Sequence, residues 1–204
     1  MIVFVVQQYL EYSKGEITMK KVVIVSGSKR KGNTLGIANI YVSEFKNKGY
    51  TAKLIDLSSQ ELDYCDGCLS CDETQVCKIN DNFVEIINEL RSADILILGT
   101  PARWRLLSGE LKSFIDRLNP YAAVEGYADI NVFIYAVGQS SEEEGVSILN
   151  AIDSVCAFAE DAGMNILGTQ AFYELYGAED YKDNKVKIVE TCKDNVEMLY
   201  KVIK

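Results

Sequence analysis

Four cysteines crowd one short stretch, with Cys65, Cys68, Cys71 and Cys77 in the pattern C-x2-C-x2-C-x5-C. Three thiols at successive intervals of three can aim their sulfurs at three corners of an iron–sulfur cubane, with the fourth ligand from farther along. Structural zinc more often uses two C-x2-C pairs held well apart. Three readings therefore stand for this stretch: a [4Fe-4S] cluster, free or redox-active thiols, and, behind both, zinc. Ile152, Val155 and Ala159, themselves at helical spacing, surround Cys156, and Val189 and Val196 surround Cys192, so both read as buried core thiols.

A second constellation runs from Lys21 to Thr34, KVVIVSGSKRKGNT. The β-branched run Val22 to Val25 reads as a buried strand, and Asn33-Thr34 as a helix start. Backbone N–H groups opening a helix lack intrahelical partners and carry partial positive charge, so the loop between them suits a phosphate. Ser26, Ser28, Thr34 and the guanidinium of Arg30 add donors there. Gly27 to Thr34 has the spacing G-x4-G-x-[ST], but Asn33 stands where a triphosphate loop needs Lys to reach the β and γ phosphates. That favours a monophosphate. G-x-G-x-x-G is absent, which argues against a dinucleotide fingerprint. The alternative is a polar strand-to-helix turn without a ligand.

The elements that must position these residues alternate. Leu35 to Lys48 has helical spacing and stops at Gly49, and Thr51 to Leu57 reads as a strand. Ser58 to Asn80 is irregular, Asp81 to Arg91 helical, and Ala93 to Gly99 a continuous apolar run of the kind buried parallel strands show. After Thr100-Pro101-Ala102-Arg103-Trp104, a helical stripe runs through Leu107, Leu111, Phe114, Ile115 and Leu118. Ile130 to Val137 is a strand leading to Gly138-Gln139-Ser140-Ser141. Glu142 to Ala162 reads as a helix with acidic residues in its first turn, where they complement the helix dipole. Asn165 to Phe172 is the fifth strand and Lys185 to Ile203 the last helix. This alternation predicts an α/β fold with a doubly wound parallel sheet, whose ligand sits beyond the carboxyl ends of the strands. The loops 26–34, 100–105 and 138–141 meet that description.

At 204 residues, with 48% hydrophobic and 25% charged residues, the chain has the length and composition of one globular domain. A formal charge of −9 disfavours nucleic acid as a partner, and the absence of His excludes an imidazole base. No stretch approaches the roughly 20 apolar residues of a membrane span. The cysteines do not resemble a secreted disulfide framework, so a reducing cytoplasm is expected. Residues 1–18 fit the domain poorly and Met19 makes a natural start. We expect a mis-assigned initiator upstream of a domain over 19–204; the alternative is a genuine extension in which Ile2 to Val6 adds an edge strand.

The three loops together resemble the NAD(P)H-dependent FMN reductase family of flavodoxin-like proteins. There the first loop, GSxR followed by GNT, wraps the FMN phosphate, and it appears here as Gly27-Ser28-Lys29-Arg30-Lys31-Gly32-Asn33-Thr34. The second runs S/T-P-V-Y-W/F ahead of a helix with LKxFIDR; this chain has Thr100 to Trp104, then Leu111-Lys112-Ser113-Phe114-Ile115-Asp116-Arg117. The resemblance covers about Lys20 to Thr169. It implies a five-stranded sheet of order 2-1-3-4-5 and FMN held by Ser26, Ser28, Arg30, Gly32, Asn33 and Thr34 at the phosphate. Thr100, Pro101, Ala102, Arg103, Trp104, Gly138 and Gln139 would surround the ring, with interface packing as the alternative for Trp104. Arg103 replaces the usual Tyr and Arg105 a usual Gly. One reading sets a guanidinium by the flavin pyrimidine edge, favouring the anionic reduced ring; the other makes the pair a solvated rim or subunit contact.

The cysteine spacing is similar to that of the iron–sulfur flavoproteins, a branch of the same family whose four cysteines bind a [4Fe-4S] cluster that exchanges electrons with FMN. The resemblance thus implies an FMN-dependent oxidoreductase moving electrons from NAD(P)H or a reduced carrier such as ferredoxin to a quinone, a flavin or another small acceptor. Its alternatives are an iron–sulfur flavoprotein electron carrier and a non-catalytic FMN-binding redox sensor. It also implies a homodimer or homotetramer.

Overall fold

The computed structural model describes residues 20–122, 126–128 and 130–202, so the expectations about residues 1–18 lie outside the described residues. Five parallel strands form one sheet of order β2-β1-β3-β4-β5: β1 Lys21–Ser26, β2 Thr51–Asp56, β3 Ile95–Pro101, β4 Asn131–Val137 and β5 Asn165–Phe172. The central strands are apolar over most of their length because helices cover both faces. Alternate residues of β1 divide between two cores, Val23 and Val25 on one side, Val22 and Ile24 on the other. In β3, Leu96 and Leu98 face the first core and Ile95 and Ile97 the second. Each fully buried side chain of this size contributes about 1.5–3 kcal/mol.

The helices, in chain order, are α1 Asn33–Asn47, α2 Ser70–Thr74, α3 Phe83–Arg91, α4 Gly109–Asp116, α5 Asn119–Ala122, α6 Val146–Asp161, α7 Asp180–Asp183 and α8 Lys185–Val202. Helices α3, α4 and α6 supply Phe83, Phe114 and Ile152 to the first core; α1 and α8 supply Tyr41, Phe45 and Leu199 to the second. From β1 the chain leaves in opposite directions, to β2 on one side and β3 on the other. The loops after β1 and β3 therefore diverge and open a crevice at their carboxyl ends.

Three local expectations need correction. Helix α6 begins at Val146 and has no acidic residue in its first turn. Gly145, whose Cβ would lie 2.7 Å from the Tyr173 ring, packs beneath that ring, and the carboxylates of Glu142 to Glu144 sit on the preceding turn. The stretch read as irregular contains α2, bounded by Leu69 and Gln75, both left-handed with φ of 59° and 57°. Cys192 is buried as expected, but Cys156 is only half-buried, with Asp153 and Glu160 close enough to act on its thiol.

Candidate functional site

The loop after β1 is anchored from below. Gly27 N–H donates to Gly99 O at 2.8 Å, and the Ser108 hydroxyl donates to Gly27 O while accepting from Leu111 N–H at 3.1 Å. Gly27 is required there, since a Cβ would lie 2.8 Å from Gly99 O and 2.7 Å from Leu111 Cβ. The Ser28 hydroxyl donates to Arg30 O at 2.9 Å and accepts from Arg30 N–H at 3.3 Å, curling the loop. The guanidinium of Arg30 folds over Gly32, its Nε 3.3 Å from where a Cβ would stand. Gly32 caps α1 without a side chain, so the first-turn N–H groups face outward beside Arg30.

These groups form one end of a cleft of about 330 Å3. Ser28, Arg30, Gly32, Asn33 and Thr34 line that end; Pro101, Ala102, Arg103, Gly138 and Gln139 line the other. The third loop packs tightly on α6, where a Cβ on Gly138 would lie 2.5 Å from Ile148 Cγ1, and it meets the second loop at ordinary contact distance, 3.7 Å from Ala102 Cβ. The structure thus brings most of the expected cofactor residues together. It does not bring Ser26, Thr100 or Trp104 to the cleft wall. Ser26 and Thr100 are fully buried beneath it, the Ser26 hydroxyl without a partner and the Thr100 hydroxyl accepting from Ser108 N–H at 2.9 Å. Trp104 is 98% exposed at the tip of a two-residue turn closed by Arg103 and Leu106. Trp104 and Arg105 both hold left-handed φ, 50° and 66°, which suits the turn and costs non-glycine residues about 1–2 kcal/mol each.

Leu175, Ser147 and Ser140 also line the cleft. Ser140 belongs to a loop already singled out, but Leu175 and Ser147 carry no signal in the sequence. They reach the site because β5 ends beside β4 and α6 starts under Gly138. An uncapped helix start, a neighbouring guanidinium and an elongated cleft with a mixed apolar and amide end fit a phosphate attached to a planar ring. The residues present therefore suit FMN.

The four close cysteines line a second, far smaller cavity of about 30 Å3, together with Asp66, Lys78 and Arg117. Hydrogen bonds at Ser70 pull the Cys68 thiol below its usual range, whereas burial, and then Asp72, push Cys71 up. Lys78 pairs with Asp66 at 3.0 Å. Among the described residues no three His, Cys, Asp or Glu side chains stand close enough to hold a metal ion. The loop that carries these thiols packs against the end of α4, at Asp116 and Arg117. Its base is held by Arg117, 1% exposed, which pairs with Asp81 through both guanidinium ends at 2.8 and 3.0 Å. Arg117 also donates to Asp63 O at 2.8 Å and lies over the Phe83 ring at 4.3 Å.

Residues 20–172 match the family described as NADPH-dependent FMN reductase. An iron–sulfur flavoprotein of Archaeoglobus fulgidus is 27% identical over 137 residues, 66% of this chain and 62% of the relative. One from Methanocaldococcus jannaschii is 36% identical over 101 residues, 49% of this chain and 52% of that protein. An FMN-dependent NADPH-azoreductase of Staphylococcus aureus is 30% identical over 101 residues, 50% and 53% of the two chains. The matched stretches thus span only about half to three fifths of the length of these curated relatives. Among solved structures, an NAD(P)H:quinone oxidoreductase from Methanothermobacter marburgensis superposes with a TM-score of 0.67 at 18% identity, covering 88% of this chain and 98% of its own. An azoreductase from Bacillus anthracis gives 0.64 at 17% identity, with 87% and 96% covered, and both confirm the flavodoxin-like fold. With the cleft at the carboxyl ends of β1, β3 and β4 and a family match across most of its length, the chain belongs to the NADPH-dependent FMN reductase family.

Proposed function

We propose that the protein is an FMN-dependent oxidoreductase that passes electrons from NAD(P)H to a quinone, a flavin or another small acceptor. The observation that carries this reading is the cleft itself, which joins an uncapped helix start and Arg30 at one end to Pro101-Ala102-Arg103 and Gly138-Gln139 at the other. Bound FMN supplies hydride and single-electron chemistry at its ring, so the absence of His is no obstacle. The chain's own residues bind and orient. Arg30 and the first turn of α1 would hold the phosphate, and Arg103 would set positive charge at the ring end. The exposed Trp104 and Leu106 beside the cleft suit contact with a second copy in a homodimer or homotetramer. A reducing cytoplasm is the compartment this reading assumes; among the described residues no helix is long and apolar enough to cross a membrane.

The test is reconstitution of the purified protein with FMN under anaerobic conditions, followed by addition of NADH or NADPH. Retained flavin whose visible band bleaches supports the proposal, and a protein that takes up no flavin sinks it. A second reading, an iron–sulfur flavoprotein electron carrier accepting from a reduced carrier such as ferredoxin, is favoured by the four cysteines around one cavity and by similarity to two iron–sulfur flavoproteins. Iron and acid-labile sulfide in anaerobically purified protein separate it from the first.

A further inference from the structure

The chain after β5 forms a strap, residues 174–183, that is fastened across the cleft at both ends. At the ring end, Leu175 N–H donates to Gly138 O at 3.0 Å and Glu174 N–H to Ser140 O at 3.1 Å. Gln139 Nε2 donates to Tyr176 O at 3.2 Å. At the phosphate end the fastening is one side chain. Asn33 Nδ2 donates to Gly177 O at 2.7 Å, and its Oδ1 accepts from Tyr181 N–H at 3.0 Å. Both faces of a single amide, 4% exposed, thereby bridge to backbone nearly 150 residues away.

The surrounding residues are shaped to that bridge. A Cβ on Gly32 would lie 2.7 Å from Ala178 O, and one on Gly36 would run into the Tyr181 ring, so the strap packs against α1 where glycines leave room. Gly177 N–H donates to the Asp180 carboxylate at 2.6 Å, turning the strap so that its carbonyl meets Asn33. An Asn amide has one acceptor oxygen and two N–H donors. Here the oxygen and one N–H are engaged by the strap, and a phosphate is an acceptor that the oxygen cannot serve. We propose that Asn33 is a positioning residue that latches the 174–183 strap to the phosphate loop, and that this latch, more than an amide contact to the phosphate, governs how long FMN is retained. The proposal rests on the FMN reading above.

The test compares FMN dissociation rates of reconstituted holoprotein, followed by recovery of flavin fluorescence, for wild type, Asn33→Ala, Tyr181→Ala and the double variant. Tyr181 lies on the strap outside the cleft lining and serves as a lesion independent of the phosphate. Each single change is expected to speed release by about 10- to 100-fold: Asn33→Ala leaves buried hydrogen-bonding groups unmatched, and Tyr181→Ala keeps its N–H but removes the ring that packs against α1 at Gly36. Because both act on one latch, the double variant is expected to match the worse single variant within about threefold. Multiplying effects would show that Asn33 acts on the phosphate directly and would overturn the proposal. A second arm needs no flavin: in the flavin-free protein, Asn33→Ala should accelerate amide exchange at 175–183 and leave β1 and β3 unchanged, and unaltered strap exchange overturns it. If wild type takes up no FMN, the FMN reading fails while the exchange arm still decides the latch.

Discussion

Replacing Asp81 with Ala should unseat the cysteine loop and cost more stability than any surface charge change in this protein. The carboxylate, 9% exposed, accepts from Arg117 at 2.8 and 3.0 Å, from Asp63 N–H at 3.1 Å and from Phe83 N–H at 3.1 Å. Its loss leaves a guanidinium that is 1% exposed without a counter-ion, and such breakage typically costs about 3–5 kcal/mol. The two backbone N–H bonds add to that without summing independently. For a domain of this length, each kcal/mol moves Tm by about 2–4 °C, so the melt should fall by about 6–20 °C. The double change Asp81→Leu with Arg117→Met should recover much of the loss, because it removes the desolvated charge along with its partner. Lys112→Ala, which breaks the exposed Lys112–Asp116 pair, serves as the control and should cost less than about 1 kcal/mol. Urea unfolding followed by circular dichroism supplies the free energies. Should Asp81→Ala cost no more than Lys112→Ala, the claim that Arg117 is a buried, charge-dependent anchor is refuted.

Acid should act on the same pair. Hydrogen bonding to Arg117 holds the Asp81 carboxyl below the usual carboxylate range, so its contribution is complete above the unfolded value, about 3.9, and is lost as pH falls through the lower folded value. The stability gap between wild type and Asp81→Asn should therefore be constant near neutrality and narrow as pH falls below the unfolded value; a gap that does not narrow there contradicts this. Arg30→Met should weaken FMN by about 10- to 100-fold while sparing riboflavin, as measured by fluorescence titration, since the role proposed for the guanidinium is at the phosphate, which riboflavin lacks. Gly27→Ala should destabilise by about 1–3 kcal/mol through its clash with Gly99 O and Leu111, and a melt unchanged from wild type would show that the loop has slack. Burial pushes the Cys192 thiol up to about 12, so iodoacetamide at pH 8 should leave it unlabelled in the folded protein while Cys65 and Cys68 react. Peptide mapping in which Cys192 labels as fast as they do would contradict its place in the core.

What the sequence by itself determined is local. Val22 to Val25 and Ile95 to Leu98 declare buried strands because a strand covered on both faces must be apolar at every position, and no turn residue interrupts them. The G-x4-G-x-[ST] loop, the Pro101 break and Gly138 mark three strand ends, and alternation of strand and helix places those ends on one side of a sheet. That was enough to assemble most of the cleft. What only the tertiary structure decided are contacts between residues remote in the chain. Asn33 has the same amide whether it meets a phosphate or the backbone at Gly177 and Tyr181, and nothing near it in the sequence distinguishes the two. For Trp104 the sequence leaves a ring contact and interface packing open, and only the left-handed turn shows that its side chain is 98% exposed on the single chain. Arg117 and Asp81, 36 residues apart, form a pair only because α4 docks beside the start of α3. Periodicity reports which face of an element is buried, whereas the partner a polar group finds depends on how the closed fold brings separate elements together.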